Sequence, residues 1–63
     1  MTATTTDGVE VEIRSHEWKD GPPTVEVCAG AFGFWRETDR PTVDAAAAWV
    51  SLLTWDDVRL GCL

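Results

Sequence analysis

Apolar and polar residues alternate from Val9 to Arg14, with Val9, Val11 and Ile13 on one parity and Glu10, Glu12 and Arg14 on the other. A period of two predicts a strand buried on one face and wet on the other. A second alternation follows at Val25, Val27 and Ala29, with Thr24, Glu26 and Cys28 on the opposite parity. Between the two lies Lys19-Asp20-Gly21, where a left-handed Gly21 would close a bulged three-residue hairpin. Trp18 then stands opposite Pro22. Counting back places Ile13 beside Val27 and Val11 beside Ala29 on the inner face, and Arg14 beside Glu26 on the outer one. Pro22 and Pro23 fall at the start of the second strand, where a missing amide donor is tolerated.

Beyond Ala29, Phe32 and Phe34 fall on the outward parity of that strand. A glycine-centred bulge at Gly30 or Gly33, or a bend into a third short strand, would turn them inward. Arg36 to Arg40 reads as a charged connector. Helical signals begin at Pro41-Thr42, with Thr42 as N-cap and Asp44 in the first turn. Val43, Ala46, Ala47, Val50 and Leu53 then recur at helical spacing, a narrow stripe of small residues suited to lie close against a sheet, with Trp49 and Leu52 on its flank. Thr54 and Asp57 have the spacing of a capping box, so Thr54 either interrupts this helix or starts a second one. Gly61 ends whichever helix is present.

These elements predict an α+β fold in ββα order: a small β-hairpin, or a three-stranded antiparallel sheet if Phe32–Trp35 form a strand, packed against a C-terminal helix. Residues 1–7, polar and Thr-rich, read as a flexible tail, and residues 8–63 as a single domain. A chain of 63 residues has room for one modest core, burying roughly 60% of the surface its unfolded form exposes.

The apolar content of 44% is too high for a disordered acidic tail. Four tryptophans, Trp18, Trp35, Trp49 and Trp55, exceed what so small a core is expected to enclose, so some of them are expected at the surface. The formal charge of −6 disfavours phosphate backbones and anionic lipid and favours encounter with a basic protein. Neither direct nucleic-acid binding nor membrane association is therefore expected. The first residues lack the basic and apolar regions of a secretory signal, and the apolar run from Ala45 to Leu53 is too short to span a bilayer, so a cytoplasmic location is expected. Cys28 and Cys62 are accordingly expected as reduced thiols. The chain has no Asn, Gln or Tyr and a single Lys, a usage that suggests a GC-rich bacterial or phage genome.

Candidate chemistry is sparse. His16 has Ser15, Glu17 and distant Cys28 as conceivable companions, at spacings that match no catalytic pattern. Cys28, Cys62, His16 and Asp56 or Asp57 lack metal-ligand spacing. Gly30 and Gly33 are followed by no lysine of a phosphate loop. The chain is therefore expected to be no enzyme and to carry no cofactor or metal. Two features point outward instead: the carboxylates of Glu10, Glu12 and Glu26 on the outer hairpin face, and Trp18 and Trp55, with Asp56 and Asp57 beside the latter. Glu10, Glu12, Trp18, Glu26, Trp55, Asp56 and Asp57 are the predicted partner-binding residues. The predicted function is a small acidic regulator or inhibitor, of phage type, that occupies a basic site on a larger protein. The alternative is a self-associating structural domain, or a small subunit of a larger assembly, with the aromatics buried between copies.

Overall fold

A computed structural model of the chain describes residues 1–61. Four antiparallel strands, β1 (Thr2–Thr4), β2 (Glu10–His16), β3 (Thr24–Ala29) and β4 (Phe34–Thr38), form one sheet in sequence order, and two helices, α1 (Val43–Ser51) and α2 (Trp55–Leu60), follow. The α+β class thus holds. The ββα order does not, because the chain supplies two further strands and a second helix.

The central hairpin has the register that alternation requires: Ile13 pairs with Val27, Arg14 with Glu26 and His16 with Thr24. Its connection differs from the expected one. The strands end at His16 and Thr24, and Gly21 is not among the glycines of positive φ. The long connection, with two consecutive prolines that cannot donate to a ladder, replaces the tight bulged turn. The turn of that kind sits one hairpin earlier. Gly8 has a φ of 88°, directly after Asp7, and closes the link between β1 and β2, where the Thr5 amide donates to the Val9 carbonyl at 2.9 Å.

Residues 2–4 therefore do not form the flexible tail expected of their composition. Thr2 pairs with Glu12 and Thr4 with Glu10, while Ala3, opposite Val11, packs against the core. The physical reason is that threonine is β-branched and suits a pleated surface, and Asp-Gly supplies the turn that brings this segment back onto β2. Thr5 is buried; its hydroxyl donates to Asp7 Oδ1 and accepts from the Val9 amide at 2.9 Å.

After β3 a single 3₁₀ turn, Gly30–Phe32, ends in left-handed Gly33 (φ 63°) and reverses the chain into β4. This is the bend into a further strand, not a bulge. Ala29 pairs with Phe34, Val27 with Arg36 and Val25 with Thr38, so Phe34 changes parity and joins the inner face.

Helix α1 is capped by Thr42, whose hydroxyl accepts from the Ala45 amide at 3.1 Å. It rests on β1, β2 and β3 through Ala46 and Val50, which are fully buried, with Val43, Ala47 and Leu53 at the margin of the core. Thr54 starts a second helix with a complete capping box: its hydroxyl accepts from the Asp57 amide, and the Asp57 carboxylate accepts from the Thr54 amide. Gly61 ends it at φ 67°. Val11, Ile13, Val25, Val27, Ala46, Val50 and Val58 form the core between sheet and helices, each Val or Ile contributing about 1.5–3 kcal/mol by burial.

Candidate functional site

Both helices contribute to the core on the inner face of the sheet, which leaves the outer face to the alternate residues of each strand. These are Thr2 and Thr4 on β1, Glu10, Glu12, Arg14 and His16 on β2, Thr24, Glu26 and Cys28 on β3, and Trp35 and Glu37 on β4. A one-sided antiparallel sheet dictates such an alternation. What departs from it is the size of the aromatics. Trp35 is 52% exposed and Trp18, in the connection beyond β2, is 45% exposed.

Neither tryptophan dangles. The Trp35 indole donates to Glu26 Oε2 at 2.6 Å. The Trp18 indole donates to the Thr24 hydroxyl at 2.8 Å, and its ring meets His16 edge-on with centroids 4.3 Å apart. Hydrogen bonds of this kind fix an amphipathic ring in place while its apolar surface stays open. Arg14 lies among the carboxylates, 3.4 Å from Glu12 and 3.5 Å from Glu26, and donates to Cys28 Sγ at 3.2 Å. Four carboxylates, those of Glu10, Glu12, Glu26 and Glu37, thus face one guanidinium on this surface, so the face is acidic even with Arg14 paired.

The structure brings Glu10, Glu12, Trp18 and Glu26 onto this one face. Within it Glu26 is buried under its contacts with Trp35 and Arg14, so its part is to hold the indole. Trp55, Asp56 and Asp57 belong elsewhere. Trp55 is half-buried against the core, stacked with Phe32 at 5.2 Å and edge-on to Phe34 at 5.0 Å between centroids. Asp56 pairs with Arg59 at 2.9 Å and Asp57 caps α2, so all three serve local structure. Two residues of the face escaped the sequence reading, Trp35 and Glu37, because the connector assignment for residues 36–40 hid β4. The signal lay in Gly33, whose left-handed turn resets the parity of everything after it.

Asp7 ties the β1–β2 turn to α2: its carboxylate accepts from the Thr5 hydroxyl and from the Trp55 amide, the latter at 3.0 Å. These bonds, that from Thr5 first, hold its pKa below the ordinary carboxylate value.

Among the described residues no group of three or more His, Cys, Asp or Glu side chains is placed to hold a metal ion, and no helix is long and apolar enough to cross a membrane. Cys28 is a half-buried free thiol; the reduced state expected of Cys62 falls outside the described residues. The chain matches no protein-family model, no curated protein and no solved structure.

Proposed function

We propose that this chain is a small acidic protein-binding regulator or inhibitor that sets the open face of its sheet against a basic site on a larger protein. The observation that carries the reading is the pair of exposed, hydrogen-bonded tryptophans, Trp18 and Trp35, on the same face as Glu10, Glu12 and Glu37. Tryptophan is the residue most typical of interface hot spots, and carboxylates around it steer a cationic partner without supplying most of the affinity. Rings already tied to Thr24 and Glu26 lose little further freedom on docking, which favours binding. The role is one of recognition, not catalysis, and the site is the surface itself.

The test is capture by the immobilised chain from a lysate of a GC-rich bacterium, with the captured proteins identified by mass spectrometry. The expected result is a basic protein retained by the wild type and lost in a folded Trp18→Ala/Trp35→Ala variant. Retention of the same proteins by that variant would remove the reading.

A second reading, self-association as a structural subunit, draws support from β4, an edge strand whose outer row of backbone donors and acceptors has no neighbouring strand in the sheet. Light scattering on the eluted protein separates the two: a monomer at micromolar concentration supports the regulator, a stable oligomer the subunit.

A further inference from the structure

On the opposite side of β4 from Trp35 lies a hollow of about 360 Å³, at the lower end of the size of small-molecule sites. Arg36 and Thr38 reach it from the inner parity of β4, Arg40 from the following turn, Trp49 from α1 and Gly61 from the end of α2. In a chain with eleven acidic and five basic residues, this hollow gathers two guanidiniums, matched in number by the carboxylates of Glu37 and Asp39 at its rim.

The arginines elsewhere are spent on carboxylates: Arg14 on Glu12 and Glu26, Arg59 on Asp56. Arg36 is not. Among the described residues it forms no ion pair, and its one hydrogen bond runs from Nε to the Glu37 carbonyl at 3.4 Å. Its guanidinium is packed against Gly61 so closely that a Cβ there would lie 2.1 Å from Nη1. The glycine leaves the room in which this cation sits beside the hollow. Arg40 is held by a different surface, 5.0 Å above the Trp49 ring, a cation–π geometry.

Two donors at this place are buried without an acceptor, Arg40 Nε and Trp49 Nε1. Asp39 Oδ1 stands 3.8 Å from Arg40 Nε, beyond hydrogen-bond reach, and its side chain is 95% exposed. Glu37 lies on the other parity of β4 and belongs to the outer face. The two acids at the rim therefore leave both donors unanswered. A buried N–H without an acceptor is costly and calls for a partner.

The geometry points to an oxyanion site: the hollow between β4 and the ends of α1 and α2 binds the carboxylate of a small organic acid, with Arg36 and Arg40 as its cations and the Trp49 indole as a neutral donor. Guanidinium and carboxylate match as planar forks, and the ring beneath Arg40 offers an apolar wall to the body of the acid. This site adjoins the docking face at Glu37, but its arginines and the Trp49 indole are not residues of that face.

The experiment is a titration of the ¹⁵N-labelled full chain with acetate, benzoate, phosphate and chloride at constant ionic strength, following the indole and arginine Nε resonances. The expected result is a saturable shift of the Trp49 indole and of Arg36 and Arg40 with the two carboxylates, at concentrations in the millimolar range, while Trp18 and Trp35 stay in place. Arg36→Gln and Arg40→Gln should each weaken binding about tenfold, as loss of one charge-assisted contact does. Trp49→Phe should weaken it less, and Arg14→Gln on the outer face should leave it unchanged. The wild-type titration stands even if a variant fails to fold. Tighter binding of phosphate than of either carboxylate would overturn the assigned ligand class. No saturable shift with any of them, or the same shift with chloride, would overturn the site.

Discussion

Asp7 shows how one side chain does two jobs that its neighbours in sequence do not predict. It takes a hydrogen bond within its own turn from Thr5 and another from the Trp55 amide at the start of α2, where a negative charge is also favoured by the helix dipole. Because these bonds lower its pKa in the folded chain, its contribution to stability is complete at neutral pH and is lost as pH falls through the folded value. Asp7→Asn should therefore melt below the wild type at pH 7 and approach it in acid, as pH falls past the ordinary carboxylate value and through the lowered folded one, where both carry an uncharged group. A gap in melting temperature that stayed constant from pH 7 to pH 2 would mean that the charge contributes nothing. Gly61 is the second such residue. Alanine there meets both a φ of 67° and the Arg36 guanidinium, so Gly61→Ala should cost on the order of 1–2 kcal/mol for the backbone, with a smaller addition for swinging the flexible guanidinium aside. The clash part should vanish in the Arg36→Ala background, which a double-mutant cycle by chemical denaturation reads directly.

At the scale of elements, the caps are where local sequence and final structure agree best. Thr42 and Thr54 both accept the hydrogen bond that their positions imply, and Thr54→Ala should cost about 1 kcal/mol in denaturant unfolding, with the loss confined to α2 in hydrogen exchange. A loss no larger than that of the exposed Ser51→Ala would show that the box is ornamental. The β2–β3 register was legible for the same reason: a buried face fixes parity, and slipping by one residue would bring Glu12 and Glu26 inward. What was not legible depended on turns. Asp7-Gly8 is a strong hairpin signal only when both flanks alternate, and Thr2–Thr4 carries its one inward residue, Ala3, with no hydrophobic pattern to announce it. Likewise Gly33 reverses the chain after a 3₁₀ turn that periodicity does not register, so β4 passed for a connector, and Trp35 and Glu37 with it. The face proposed for docking was thus half visible: its β2–β3 part followed from alternation, its β4 part from a turn.

For the whole molecule, placing both helices beneath one side of the sheet separates the face that carries stability from the face proposed for recognition, and mutations should sort accordingly. Val27→Asp puts an unpaired charge into the fully buried layer and should cost several kcal/mol, whereas Glu12→Gln on the open face should leave the melting temperature within about 1 °C, a change far below 1 kcal/mol. Trp55 and Trp35, two of the four tryptophans of which only some are expected at the surface, fall on opposite sides of this division. Trp55→Ala removes a half-buried ring from between Phe32 and Phe34 and should lower stability by about 3 kcal/mol, as truncation of large core aromatics does. Trp18→Ala should change stability by about 1 kcal/mol, the value of its hydrogen bond to the neutral Thr24 hydroxyl, and Trp35→Ala by about 1.5–3 kcal/mol, because its indole donates to the buried Glu26 carboxylate. Their effect should appear in binding. With a captured partner in hand, surface plasmon resonance should show Trp18→Ala or Trp35→Ala speeding dissociation, at about 2 kcal/mol each for true anchors. Replacing Glu10, Glu12 and Glu37 together by Gln should instead slow association and flatten its dependence on salt, because peripheral charges act on encounter before contact is made. If dissociation of the Trp35→Ala protein matched that of the wild type while the Trp55→Ala protein stayed folded and dissociated faster, the partner would be meeting the helical side of the molecule and the open sheet face would have no part in recognition.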